Sequence, residues 1–120
     1  MEKLEHGKNA KELTKVVNRL LTAYGKHVHT VTGDNGTEFA DHQTIAKWLK
    51  TKFFFTHPYS AWEKGLIEYT NKLIRQYIPK KTDFNDICQQ QIKEIQYIIN
   101  NRPRKKIKFY SPKEIFFLNL

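Results

Sequence analysis

The chain has 120 residues, 39% of them hydrophobic and 28% charged, enough for one domain with a single core and too apolar for a disordered segment. No apolar run comes near the roughly 18 residues that cross a bilayer, and Cys88, the one cysteine, excludes an internal disulfide or a multi-cysteine zinc site. The net charge of +9 sits unevenly, with nine Lys and Arg against seven Asp and Glu in residues 1–63 but twelve against four in residues 64–113, which suits either a polyanion such as nucleic acid or a solvated basic face.

Leu13, Val16, Val17, Leu20, Leu21 and Tyr24 recur at steps of three and four, which predicts a helix, with Gly25 as its stop. The N-terminal residues before it, Glu2, Lys3, Glu5 and His6, lack a secretory apolar core and predict a cytoplasmic protein. Val28 to Thr32 is short and β-branched, hence a strand, broken by Gly33-Asp34-Asn35-Gly36. Asp41 is placed to cap a helix whose apolar positions are Ile45, Ala46, Trp48 and Leu49. Lys52 to Thr56 reads as a second strand. Its unalternating Phe53, Phe54 and Phe55 predict core cover on both faces.

Pro58 keeps His57 out of the helical region, so His57 to Ser60 is a loop. Ser60 and Glu63 have capping-box spacing for the next helix, although Gly65 delays its start. That helix carries Glu68 and is expected to end near Pro79. Cys88, Ile92, Ile95 and Ile99 mark another helix face, with Cys88 expected as a small buried hydrophobe. Pro103 closes it. A basic loop runs from Arg102 to Lys108, and Ser111-Pro112-Lys113-Glu114 starts a last helix with a capping box and Pro at its first position. Helix, strand, helix, strand and three helices in that order make an α/β protein.

Two carboxylates carry the chemistry. Asp34 follows a strand's C-terminal end, where open α/β sheets place ligands, and Glu68 falls in the first turns of a helix. Oxygen donors of this kind suit hard divalent cations, which serve phosphoryl transfer. The same residues also read as an Asp-Asn-Gly turn and a solvated helix Glu.

Asp34 and Glu68 have 33 residues between them. Around them stand Asp34-Asn35-Gly36-Thr37-Glu38-Phe39, His57-Pro58-Tyr59-Ser60-Ala61-Trp62-Glu63-Lys64-Gly65, Leu73-Ile74-Arg75-Gln76-Tyr77, Asn101-Arg102-Pro103-Arg104-Lys105 and Ser111-Pro112-Lys113-Glu114. Together, from about residue 8 onward, they closely resemble the C-terminal part of the integrase-type catalytic core of insertion sequence 30 family transposases. The resemblance implies a partial RNase H-like fold lacking its first strands, over about residues 8–78, with a basic helical extension over about 79–120. It implies a DDE mechanism, in which two Asp and one Glu hold Mg²⁺ (or Mn²⁺) for DNA strand cleavage and strand transfer. Asp34 matches the family's second Asp and Glu68 its Glu. Pro58, Tyr59, Ser60, Trp62 and Gly65 match the loop ahead of the Glu helix, and Arg75 its basic residue. Lys72, one turn before Arg75 on the same face, could reach a phosphate. Ile67 and Tyr69 stand where the family tends to carry Asn.

The family's first Asp has no counterpart, since none of the 33 residues before Asp34 is Asp. The chain therefore reads as a decayed copy or as one piece of a split gene, completed by an upstream transposase fragment or a second copy. The implied partner is DNA, as transposon ends and target, in the bacterial nucleoid. Arg102, Arg104, Lys105 and Lys106 are the expected phosphate contacts, with a solvated loop as the plainer reading. Tyr59 and Trp62 either stack on an unpaired base or pack against the helix. The five histidines show no metal-ligand spacing. A non-catalytic DNA-binding or interaction remnant of a mobile element is the alternative to a transposase.

Overall fold

The computed structural model describes residues 1–60, 62 and 65–120. Seven principal elements follow one another as α1 (Ala10–Thr22), β1 (Thr30–Gly33), α2 (His42–Leu49), β2 (Lys52–Phe55), α3 (Gly65–Arg75), α4 (Gln89–Asn101) and α5 (Pro112–Leu118). This is the order the sequence predicts. Contacts divide the chain into two units, Leu4–Gly65 and Leu66–Leu120, with Met1–Lys3 joined to the latter.

In the first unit Asn9 caps α1, its side chain accepting from the N–H groups of Lys11 and Glu12 at 3.0 and 3.1 Å, which satisfies donors a helix start leaves open. Of the predicted face, Leu13 to Leu21 is half-buried, whereas Tyr24 lies beyond the helix and is exposed. Helix α1 ends at Thr22, before Gly25. That glycine opens a separate 3₁₀ turn, Gly25–His27, because the Tyr24 N–H already bonds back to Leu21. Strands β1 and β2 run parallel, pairing Thr30 with Lys52 and Gly33 with Phe55. A parallel pair needs a crossover, and α2 supplies it. Ile45 is fully buried and Leu49 nearly so.

Asp41 stands at the start of α2, but its carboxylate accepts from the Thr44 hydroxyl at 2.7 Å instead of a backbone N–H. Two further expectations are corrected here. Trp48 is 65% exposed, although it lies three residues after Ile45, and Phe54 and Phe55 are exposed as well. The aromatic strand is covered on one side only, where Phe53 lies against Phe39, His42 and Phe55 with ring centroids 5.1–5.8 Å apart.

The second unit is helical. Leu73, Ile78, Ile87, Ile92, Ile95 and Ile99 form one buried cluster, with Ile74 and Tyr77 packed on it. Burying each such side chain stabilises by about 1.5–3 kcal/mol. Helix α3 starts at Gly65 and ends at Arg75, short of Pro79, and turns within residues 76–78. The Ser60–Glu63 cap lies outside the described residues at Glu63. Cys88 is exposed, not buried. It occupies the N-cap of α4, where its N–H bonds the Gln91 side chain at 2.9 Å. Ser111 caps α5 by the predicted box, its side chain accepting from the Glu114 N–H.

Candidate functional site

Both strands finish at one edge, and Asp34 is the first residue beyond it. Its Oδ1 accepts the Gly36 N–H at 3.0 Å, the Asx turn that this residue type favours. Asn35 donates from its side chain to the Thr56 carbonyl at 3.3 Å, and the Thr56 N–H bonds the Gly33 carbonyl at 3.0 Å. The turn after β1 is thereby tied to the residue after β2. Gly33 explains why the strands close so tightly there. A Cβ at that position would stand 2.9 Å from the Phe53 ring and 3.3 Å from Phe39. Asp34 is therefore held at the exposed carboxyl end of a parallel pair, the place where such sheets put chemistry.

Glu68 lies in the first turn of α3 and is exposed, as are Lys72 and Arg75. Spacings of four and seven put the three on one face. Among the described residues the Glu68 and Lys72 side chains have no hydrogen-bond or ion-pair partner. Arg75 differs. Its guanidinium reaches the Ile78 and Pro79 carbonyls at 3.5 Å, closing off the end of α3.

The basic loop divides in the same manner. Arg102 donates to the Tyr77 hydroxyl at 2.6 Å and to the Gln76 side chain at 3.3 Å, with its charge 6.0 Å from the Tyr77 ring centre. Arg104 donates to the Ile99 carbonyl at 3.2 Å, near the end of α4. Lys105 and Lys106 are exposed, and among the described residues their ammonium groups have no partner. A 3₁₀ turn holds them, Lys105–Ile107, followed by Lys108 and Phe109 in the left-handed region at φ 55° and 65°. Cross-bonds between Arg104 and both Phe109 and Tyr110 shut the loop. The arginines shape the loop and the lysines face solvent.

Hard oxygen donors are what Mg²⁺ or Mn²⁺ prefers. Asp34 accepts the Gly36 N–H through Oδ1, and Glu68 is exposed. Each carboxylate is, taken by itself, a donor of that type. Among the described residues no three His, Cys, Asp or Glu gather to hold a metal. Sequence reasoning missed Asn35 as the tie to Thr56, since only the parallel register brings them together. Among the described residues, no helix is long and apolar enough to cross a membrane.

No family model matches the chain. The transposase of insertion sequence element IS4351 from Bacteroides fragilis is 47% identical over 110 residues, 92% of this chain and 34% of that protein. The transposase InsI of element IS30A from Escherichia coli is 43% identical over 86 residues, 72% of this chain and 22% of that protein. The transposase of element IS1086 from Cupriavidus metallidurans is 37% identical over 86 residues, 72% of this chain and 25% of that protein. The chain thus spans about a third or less of the curated relatives it matches.

Proposed function

The chain is homologous over most of its length to transposases of the insertion sequence 30 family and allied elements, and on that premise we propose that it is part of an integrase-type core that cleaves and joins DNA. In this reading the first unit and α3 belong to an RNase H-like fold. Asp34 and Glu68 are two of its three acidic ligands, and an upstream segment or a second copy supplies the other. One observation carries the proposal: Asp34 stands at the shared carboxyl edge of two parallel strands, tied there through Asn35 and Thr56.

The residues divide the work by chemistry. Asp34 and Glu68 would hold Mg²⁺ or Mn²⁺, which when bound activates an attacking hydroxyl and steadies a leaving oxygen. The Asn35–Thr56 bond keeps the turn, and so the Asp34 carboxylate, from swinging off the strand end. Lys72, Lys105 and Lys106 neutralise DNA phosphates without reading sequence. Arg102 and Arg104 hold the loop that presents the last two. Arg75 secures the end of α3 and reaches a phosphate only by giving up weak carbonyl contacts.

The test uses supercoiled plasmid, Mg²⁺ and this chain mixed with the upstream part of a homologous transposase. Nicking is expected with the native chain and is expected to vanish with Asp34→Asn or Glu68→Gln while DNA binding persists. Equal nicking by the native chain and both variants would overturn the assignment. The lysines on their closed loop favour a second reading, DNA binding without chemistry. It predicts salt-dependent binding and no metal-dependent nicking in the same mixture.

A further inference from the structure

Trp48 has a position that the rest of its helix does not explain. Ile45 and Leu49 of α2 are buried, yet the indole between their rows is 65% exposed. It is not loose, because its N–H donates to the Thr22 hydroxyl at 3.3 Å, and that hydroxyl in turn donates to the Asn18 carbonyl at the end of α1. An aromatic face is thus held in solvent, which lowers the ordering cost of a contact.

Around it is an open cleft of about 790 Å³, wholly within the first unit, lined by Trp48, Tyr24, Lys26, His27 and Lys50 among others. Among the described residues no Asp or Glu lines it. Lys26 belongs to the 3₁₀ turn before β1. Lys50 ends α2 in the left-handed region at φ 51°, its N–H bonded to the Ala46 and Lys47 carbonyls. Both strand starts, Thr30 and Lys52, lie just beyond these residues. The cleft therefore sits at the amino end of the sheet, and the four residues of β1 separate it from Asp34 by roughly 13 Å at about 3.3 Å each. It is not the carboxylate edge.

A flat aromatic face among cations, with no carboxylate among the described lining residues, fits a ligand that is both planar and anionic. We propose that this cleft binds one nucleotide of a single-stranded nucleic acid, the base stacked on Trp48 and its phosphates on Lys26 and Lys50. Every base has a face to stack, so the site tolerates any sequence. A double helix hides its base faces and does not fit. The cleft gives the first unit its own hold on an unpaired strand, independent of the lysines of the basic loop.

The test follows Trp48 fluorescence in a Trp62→Phe chain, where Trp48 is the one remaining tryptophan. A thymidine oligonucleotide is expected to quench it saturably, and inorganic tripolyphosphate, which has charge but no ring, is not. Lys26→Ala with Lys50→Gly, the latter suited to a positive φ, is expected to weaken that quenching about tenfold at low salt and to flatten the salt slope by about 1.4, two phosphates at about 0.7 each. Circular dichroism of the variant against the parent separates lost binding from lost fold. A bromodeoxyuridine oligonucleotide is expected to photocrosslink within residues 47–50. Equal quenching by tripolyphosphate, or no quenching in a folded chain, would overturn the proposal. So would a Trp48 signal that changes with protein concentration alone as the mass doubles, because a second copy would then cover the cleft.

Discussion

The sheet-bearing unit and the helical unit are built on different amounts of core. Residues 66–120 share one cluster of six aliphatic side chains, drawn from α3, α4 and the turns between them. Among the described residues, those of 4–65 bury Ile45, Leu49 and Thr14, and otherwise rely on the half-buried face of α1 and on the rings around Phe53. A core of many interchangeable members distributes the loss of any one of them, while a core of two does not. The sheet-bearing unit should thus be the more fragile to single deletions.

The largest effect is expected from Ile45→Ala, about 3–5 kcal/mol by denaturant unfolding, since a fully buried side chain leaves a cavity that two short strands cannot fill. Ile95→Ala, at the margin of the six-residue cluster, is expected to cost about 2–3 kcal/mol. Equal costs would break the comparison. Gly33→Ala sharpens it: the new methyl meets the Phe53 ring, and overpacking of this kind costs about 1–3 kcal/mol. Phe53→Leu in the same chain is expected to recover part of that loss by thermal melting. In the helical unit, Arg102→Ala removes the bonds to Tyr77 and Gln76 and is expected to cost about 1–2 kcal/mol. Arg102→Lys recovers little, because an ammonium cannot fork to both partners.

The smallest effect belongs to the α5 cap. Ser111→Ala is expected to cost about 1 kcal/mol. The backbone N–H and then the hydroxyl of Ser111 donate to the Glu114 carboxylate and hold its pKa below the ordinary value of 4.5. A folded pKa below the unfolded one means that this contribution is whole above about pH 4.5 and is lost as the pH falls through the lower folded value. Unfolding curves of native and Glu114→Gln chains should therefore converge on acidification. A gap between them that widens toward pH 3 would contradict the cap.

Local signals made the helices readable. Periodicity located α1 and α4, and Ser111, Pro112 and Glu114 announced α5 because capping chemistry acts within four residues. The exposure of Trp48, Phe54 and Phe55 was not readable, since it depends on which faces other elements cover. The same holds for the candidate site. A strand followed by Asp-Asn-Gly marked Asp34, but its anchoring by Thr56 required the parallel register of β1 and β2. Counting charge marked Arg102 and Arg104 together with Lys105 and Lys106. Only the fold separates them, because the hydroxyl that engages Arg102 belongs to Tyr77, 25 residues earlier.

Cys88 offers a practical consequence. As the single cysteine of the sequence, exposed at the head of α4, it is a ready attachment point for one maleimide dye per molecule, with no engineering of the chain. The label would report from the helical unit alone and, in a Trp62→Phe chain, leave the tryptophan signal of α2 as a second, spectrally separate channel. For the same reason, preparations need a reductant, or two molecules will join through this thiol and imitate a dimer.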